Sequence, residues 1–164
     1  MTDLESSLRY QLDGLHSGML TVDEFQAGVA QDLLVFHTSA YLAGLDSDTL
    51  DEAGKQAVVA TVQDQVDYLN AFADQIEQGG LSDAAIDARL LSYGGALNAS
   101  WWQGATDGAD LPFQPGDGGT ECLGNCRCTW EQDGSGWQWV AEPDACTGCL
   151  DREAGGPYGG VTGI

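Results

Sequence analysis

The sequence predicts a mainly α protein in two parts: an N-terminal bundle of about four helices, and a small C-terminal β-hairpin module held by cysteines. Three observations carry this. Apolar residues recur at three- and four-residue steps along residues 4–97. Two short alternating runs rich in tryptophan flank a turn at Asp133-Gly134-Ser135-Gly136. All five cysteines fall within residues 122–149.

In the first helix, over residues 3–13, Leu4, Leu8, Leu12 and then Leu15 share one stripe, ended by Gly14 and Ser17-Gly18. Thr21-Val22-Asp23-Glu24 is a capping box, with a hydroxyl at the N-cap and a carboxylate three residues on. The second helix runs from it to about Ala43, with Phe25, Val29, Leu33, Phe36 and Tyr41 as apolar positions and Gly44 as its stop.

The third and longest helix is expected from near Asp48 to Gly79-Gly80. Its stripe is Leu50, Val58, Val62, Val66, Leu69, Phe72 and Ile76, which reads as bundle core rather than a cofactor box. Ser82 caps a fourth helix through Ile86, Leu90, Tyr93 and Leu97, where Gly94-Gly95 invites a kink or a close approach. His37 lies in an apolar helix and reads as a core or interface histidine.

From Gly104 to Gly119 the chain turns rich in Gly, Asp and Pro, which marks a loop. Trp101 and Trp102 precede it and are placed to clamp it to the bundle. Cys128–Gln132 and Trp137–Val140 read as the hairpin strands. The expected division is a helical domain at 1–106, a cysteine-rich hairpin module at 107–150 and a Gly-rich tail at 151–164.

The charge is extreme: 26 Asp and Glu against 5 Lys and Arg, a formal net charge of −21, with Lys55 the single lysine. The acids are spread over every segment. Such a surface suits high salt, where short screening lengths suppress self-repulsion, and a halophilic source is the expectation. It also disfavours sequence-independent grip on phosphates, which needs a basic patch; only Arg127 and Arg152 lie near the cysteines. A zinc-ribbon regulator that binds nucleic acid is therefore the weaker alternative. The acidic N-terminus lacks a signal-peptide pattern and no apolar run approaches membrane-crossing length, so an intracellularly made protein with no membrane partner is expected.

The cysteines Cys122, Cys126, Cys128, Cys146 and Cys149 spell C-x3-C-x-C-x17-C-x2-C. Two close clusters parted by a hairpin-length spacer are how a small module builds a thiolate site for Zn²⁺. The odd count speaks against a closed disulfide framework; disulfides and plain buried thiols are the alternatives. Cys146 and Cys149 form a knuckle through Gly148, and Cys122 with Cys126 a looser one. Cys126 and Cys128, if extended, point to opposite faces and are not expected to share an ion. The expected ligands of one structural Zn²⁺ are Cys122, Cys126, Cys146 and Cys149, with Cys128 as substitute for Cys126. Four thiolates close the site, making the hairpin zinc-stapled.

The sequence has no phosphate-binding loop with a lysine, no H-E-x-x-H and no G-x-S-x-G. Glu121, beside Cys122, is the one carboxylate placed for acid/base work at a metal. A metallo-hydrolase needs an open metal position, and an enzyme is not the expectation.

The stretch Leu111-Pro112-Phe113-Gln114-Pro115-Gly116-Asp117-Gly118-Gly119-Thr120-Glu121-Cys122-Leu123-Gly124-Asn125-Cys126-Arg127-Cys128-Thr129-Trp130, with Trp137, Trp139 and Cys146-Thr147-Gly148-Cys149 after it, resembles the C-terminal part of tailed-phage minor head proteins of the Mu F-like head morphogenesis group. Upstream, Ser17-Gly18-Met19-Leu20-Thr21, Tyr68-Leu69 with Phe72, and Arg89 with Tyr93 fit the same group. The resemblance implies a minor capsid protein made in a host cytoplasm and carried in the virion. It implies work in head assembly or stability through contacts with the major capsid protein, portal or connector, and with the halophilic composition it points to a virus of a halophilic host.

Overall fold

A computed structural model describes residues 3–107, 109 and 111–159. Its order is α1 (Asp3–His16), α2 (Val22–Leu45), α3 (Glu52–Glu77), α4 (Asp83–Gly95), α5 (Leu97–Ala105), a 3-10 turn at Leu123–Asn125, β1 (Thr129–Asp133), β2 (Gly136–Val140) and α6 (Thr147–Ala154). The protein is mainly helical with one small antiparallel hairpin near its C-terminal end.

The helical stripes form a single core. Leu4, Leu8, Leu12, Phe25, Val29, Leu33, Tyr41, Val58, Val62, Leu69, Phe72, Ile86, Leu90 and Tyr93 are buried together, with Leu15, Phe36, Leu50, Val66, Ile76 and Leu97 packed against them. The expected capping box is formed: Thr21 Oγ1 accepts from the Glu24 amide at 3.2 Å, and Glu24 Oε2 accepts from the Thr21 amide at 2.8 Å. α3 begins at Glu52 rather than near Asp48, and Asp51 caps it, accepting from the Gly54 amide at 2.7 Å. Leu50 thus packs from outside the helix.

Further elements differ from the sequence reading. Gly14 does not break α1, which runs through it to His16. Gly44 does not end α2; the helix runs to Leu45 and ends at Asp46, which takes the left-handed φ of 54°. The expected fourth helix is divided at Ala96 into α4 and α5. Gly94 and Gly95 close α4, and the chain restarts as α5 through Trp101, Trp102 and Gly104, so helix enters the start of the expected loop. Two positions of that loop, 108 and 110, lie outside the described residues.

The hairpin pairs Thr129 with Val140, Trp130 with Trp139 and Asp133 with Gly136. Asp133 Oδ1 accepts from both the amide and the hydroxyl of Ser135, which closes the turn. Cys128 precedes the first strand rather than opening it. The segment after it also carries more structure than a tail: Thr147–Ala154 is helical, and Tyr158 exchanges backbone hydrogen bonds with Trp137 at 2.8 and 2.9 Å. The end of the expected tail, residues 160–164, lies outside the described residues. Among the described residues no helix is long and apolar enough to cross a membrane.

Candidate metal centre

Residues 113–119 brace the cysteines from one side. Gly116 and Gly118 take φ of 88° and 79°, values that a side chain resists, so the Pro115-Gly116-Asp117-Gly118 run can fold tightly. Asp117 fastens that turn by accepting from the amides of Gln114 (3.0 Å) and Gly119 (2.8 Å). The turn delivers Phe113 to the hairpin, where its ring stacks on Trp130 at 5.6 Å and 15°, and meets Trp139 and Tyr158 edge-on. Gln114 Oε1 accepts from Trp130 Nε1 at 3.2 Å. A buried indole N–H is thereby satisfied.

On the other side α6 supplies Arg152. Its guanidinium lies 4.2 Å from the Phe113 ring centroid and 5.1 Å from that of Trp139, and it meets Asp117 at 3.2 Å. One cation thus ties α6 to the turn and to the hairpin at once.

The module is seated on the bundle by backbone contact. A Cβ on Gly95 would meet the Gly124 carbonyl oxygen at 2.7 Å, so the 3-10 turn between Cys122 and Cys126 rests on the α4–α5 junction. Asn98 on α5 donates to the Cys126 carbonyl at 3.1 Å. Trp102 packs into the aromatic cluster around the cysteines, while Trp101 is 39% exposed and meets Trp102 edge to face.

These elements gather all five expected cysteines, each a free thiol. Cys126, Cys128 and Cys149 are buried; Cys122 and Cys146 are half-buried. The sulfurs fall into two triads, Cys122–Cys146–Cys149 and Cys126–Cys128–Cys149, and within each the Sγ atoms lie inside 4.8 Å of one another. Cys126 Sγ and Cys149 Sγ are 3.6 Å apart. Clustered thiols of this kind could hold a metal ion.

The geometry corrects one expectation. Cys126 and Cys128 are not turned to opposite faces; they lie in the same triad. Strand alternation does not reach them, because β1 starts only at Thr129 and Cys126 follows the 3-10 turn. The Cys146–Cys149 pair also differs from the expected loop knuckle. Cys146 is the N-cap of α6, and the Cys149 and Leu150 amides both donate to its carbonyl at 3.1 Å.

The sulfurs sit in unequal surroundings. Hydrogen bonding to Cys122 holds the Cys146 thiol down at about 7. Burial pushes the thiols of Cys126 and Cys149 up. Cys146 thus ionises more readily than an ordinary thiol, while the buried Cys126 and Cys149 favour the protonated form.

Two oxygens stand close by. Thr120 Oγ1 is 3.6 Å from Cys149 Sγ, a contact the sequence reading missed although Thr120 lies within the quoted run. Glu121 Oε2 accepts from the Gly148 amide at 3.1 Å, and hydrogen bonds from its own backbone amide and then Cys146 hold its carboxyl below the usual range. Arg127 pairs with Asp144 at 2.5 Å on the open surface, where such a pair adds little to stability. His37 is fully buried in the bundle with Nδ1 2.6 Å from Ser100 Oγ.

No family model, no curated protein and no solved structure matches this chain.

Proposed function

We propose that this chain is a minor structural protein of a tailed virus particle, acting in head assembly or stability through protein–protein contacts. The bundle contacts neighbouring virion proteins, the major capsid protein and the portal or connector, and the cysteine module serves as a rigid appendage. One observation supports the reading above others. The run that resembles the minor head proteins is an interlocked unit: Phe113, Gln114 and Asp117 brace Trp130 and Arg152 around the cysteines. Those residues act on one another, which suits a building block.

Zn²⁺ is the ion we assign to the thiol cluster. Thiolate donors select thiophilic ions, and zinc adds no redox chemistry to a part whose task is to hold shape. Bound zinc would cross-link the 3-10 turn, the residues before β1 and the start of α6. That linkage strengthens a module too small to fold on buried area alone.

The test is mass spectrometry of density-banded particles from the source organism, with this chain quantified against the major capsid protein. A fixed copy number that stays with intact particles through repeated banding is the expected result. Loss of the chain on the first banding would overturn the virion reading.

A further inference from the structure

The five sulfurs divide into two groups of three that share a single member. That pattern differs from one tetrahedral site, in which four sulfurs surround a common point and a fifth is spare. We infer that the module binds two thiophilic metal ions bridged by the Cys149 thiolate. The outer ion is held by Cys122, Cys146 and Cys149, and the inner ion by Cys126, Cys128 and Cys149. This rests on the reading that the cluster is a metal centre, and extends it to the number of ions and the role of each cysteine.

Four features favour it. Cys149 is 0% exposed and is the member common to both triads, the position a bridging sulfur must occupy. Cys128, the thiol that a single four-ligand site leaves over, is 3% exposed and sits within 4.8 Å of two other sulfurs. Left protonated, it would be a weak donor in a dry cluster of ligands; bound, it completes the inner triad. Charge favours the pair as well. Five thiolates about two divalent ions leave one excess negative charge, whereas four about one ion leave two, in a protein whose formal net charge is already −21. Finally, Glu121 is hydrogen-bonded near Cys146, so the outer ion has a carboxylate at hand as a fourth donor. The inner ion sits among buried thiols with the Thr120 hydroxyl beside the shared sulfur.

The position of Cys149 on α6 suits a bridge. It stands in the first turn of α6, fully buried and within reach of both groups of sulfurs. On filling both sites, each sulfur that is still protonated gives its proton to solvent as it takes the metal, so loading releases protons and needs no oxidant or reductant.

Native mass spectrometry of the full chain, titrated with Zn²⁺ under reducing conditions, tests this. Two zinc ions per chain are expected, and Cys128→Ser and Cys122→Ser should each retain one. Cys149→Ser should lose the bridge and with it tight binding at both positions. A stoichiometry of one in the wild type, unchanged in Cys128→Ser, would overturn the two-ion inference while leaving a single-zinc centre standing. A stoichiometry of zero would overturn the metal centre itself. Loading with ¹¹³Cd²⁺ gives a readout independent of variant folding. Two cadmium resonances split by mutual coupling through a shared sulfur are expected, and a single resonance at saturation would sink the bridge.

Discussion

Gly44 and Gly104 oppose each other where α2 crosses α5, and each leaves room for the backbone of the other helix. A Cβ on Gly44 would collide with the Trp101 carbonyl oxygen, and one on Gly104 with the Tyr41 carbonyl oxygen. The two helices therefore touch main chain to main chain, and this contact sets the position of Trp101 and Trp102 beneath the cysteine module. Gly44→Ala or Gly104→Ala should force the helices apart and cost about 1–3 kcal/mol each, read as a lower Tm. Because both changes break the same close contact, the double variant should cost less than the sum. Full additivity would show the two crossings to be independent.

His37 makes stability depend on pH. Burial lowers its pKa from the ordinary value of 6.5, so the folded protein holds the ring neutral beside Ser100. The unfolded chain takes up that proton once pH falls below about 6.5. It then binds more protons than the folded state, so stability from this group is full above that pH. As pH falls toward the lower folded value, the contribution is lost. Comparing the pH dependence of unfolding in His37→Gln with wild type isolates the effect. The variant should have a shallower loss between pH 6.5 and 5, and identical slopes would remove His37 as the cause.

Chelation should act locally. If the cysteines hold a metal ion as proposed, stripping it with a strong chelator under reducing conditions should open residues 120–150 to protease and leave α1–α4 protected. The bundle core is built from Leu4, Phe25, Leu33, Leu69, Phe72 and their neighbours and holds no cysteine. Limited proteolysis with fragment mass analysis reads this. An unchanged cleavage pattern after proven zinc loss would show that the aromatic cluster alone holds the module.

Arg152 tests that aromatic cluster from the other direction. Its side chain is only 14% exposed, lies over Phe113 and Trp139, and pairs with Asp117. Arg152→Ala should cost about 1–3 kcal/mol through lost stacking and a stranded carboxylate. Arg152→Lys should recover little of this, since a lysine cannot stack a planar fork on the ring. Hydrogen exchange at Trp130 and Trp139 amides gives the readout, and full recovery by lysine would reduce the interaction to charge alone.

The sequence by itself determined the helical stripes, the capping box at Thr21 and Glu24, the hairpin turn at Asp133–Gly136 and the gathering of five cysteines in one module. Each of these is written in local spacing: a repeat of side chains along one helix face, a hydroxyl three residues before a carboxylate, a turn between alternating runs. Tertiary structure alone decided what Gly44 is for, since a glycine near a helix end reads the same whether it stops the helix or admits a neighbour. It also decided α6, whose eight residues are too short to signal themselves and are held by Arg152 on Asp117 and by Glu153 on the Ala141 amide. The pairing of the sulfurs was beyond local reading for the same reason. Cys126 and Cys128 share a triad because the chain is irregular before β1, and Cys149 joins both triads because α6 packs back across the module, a long-range contact that no spacing encodes.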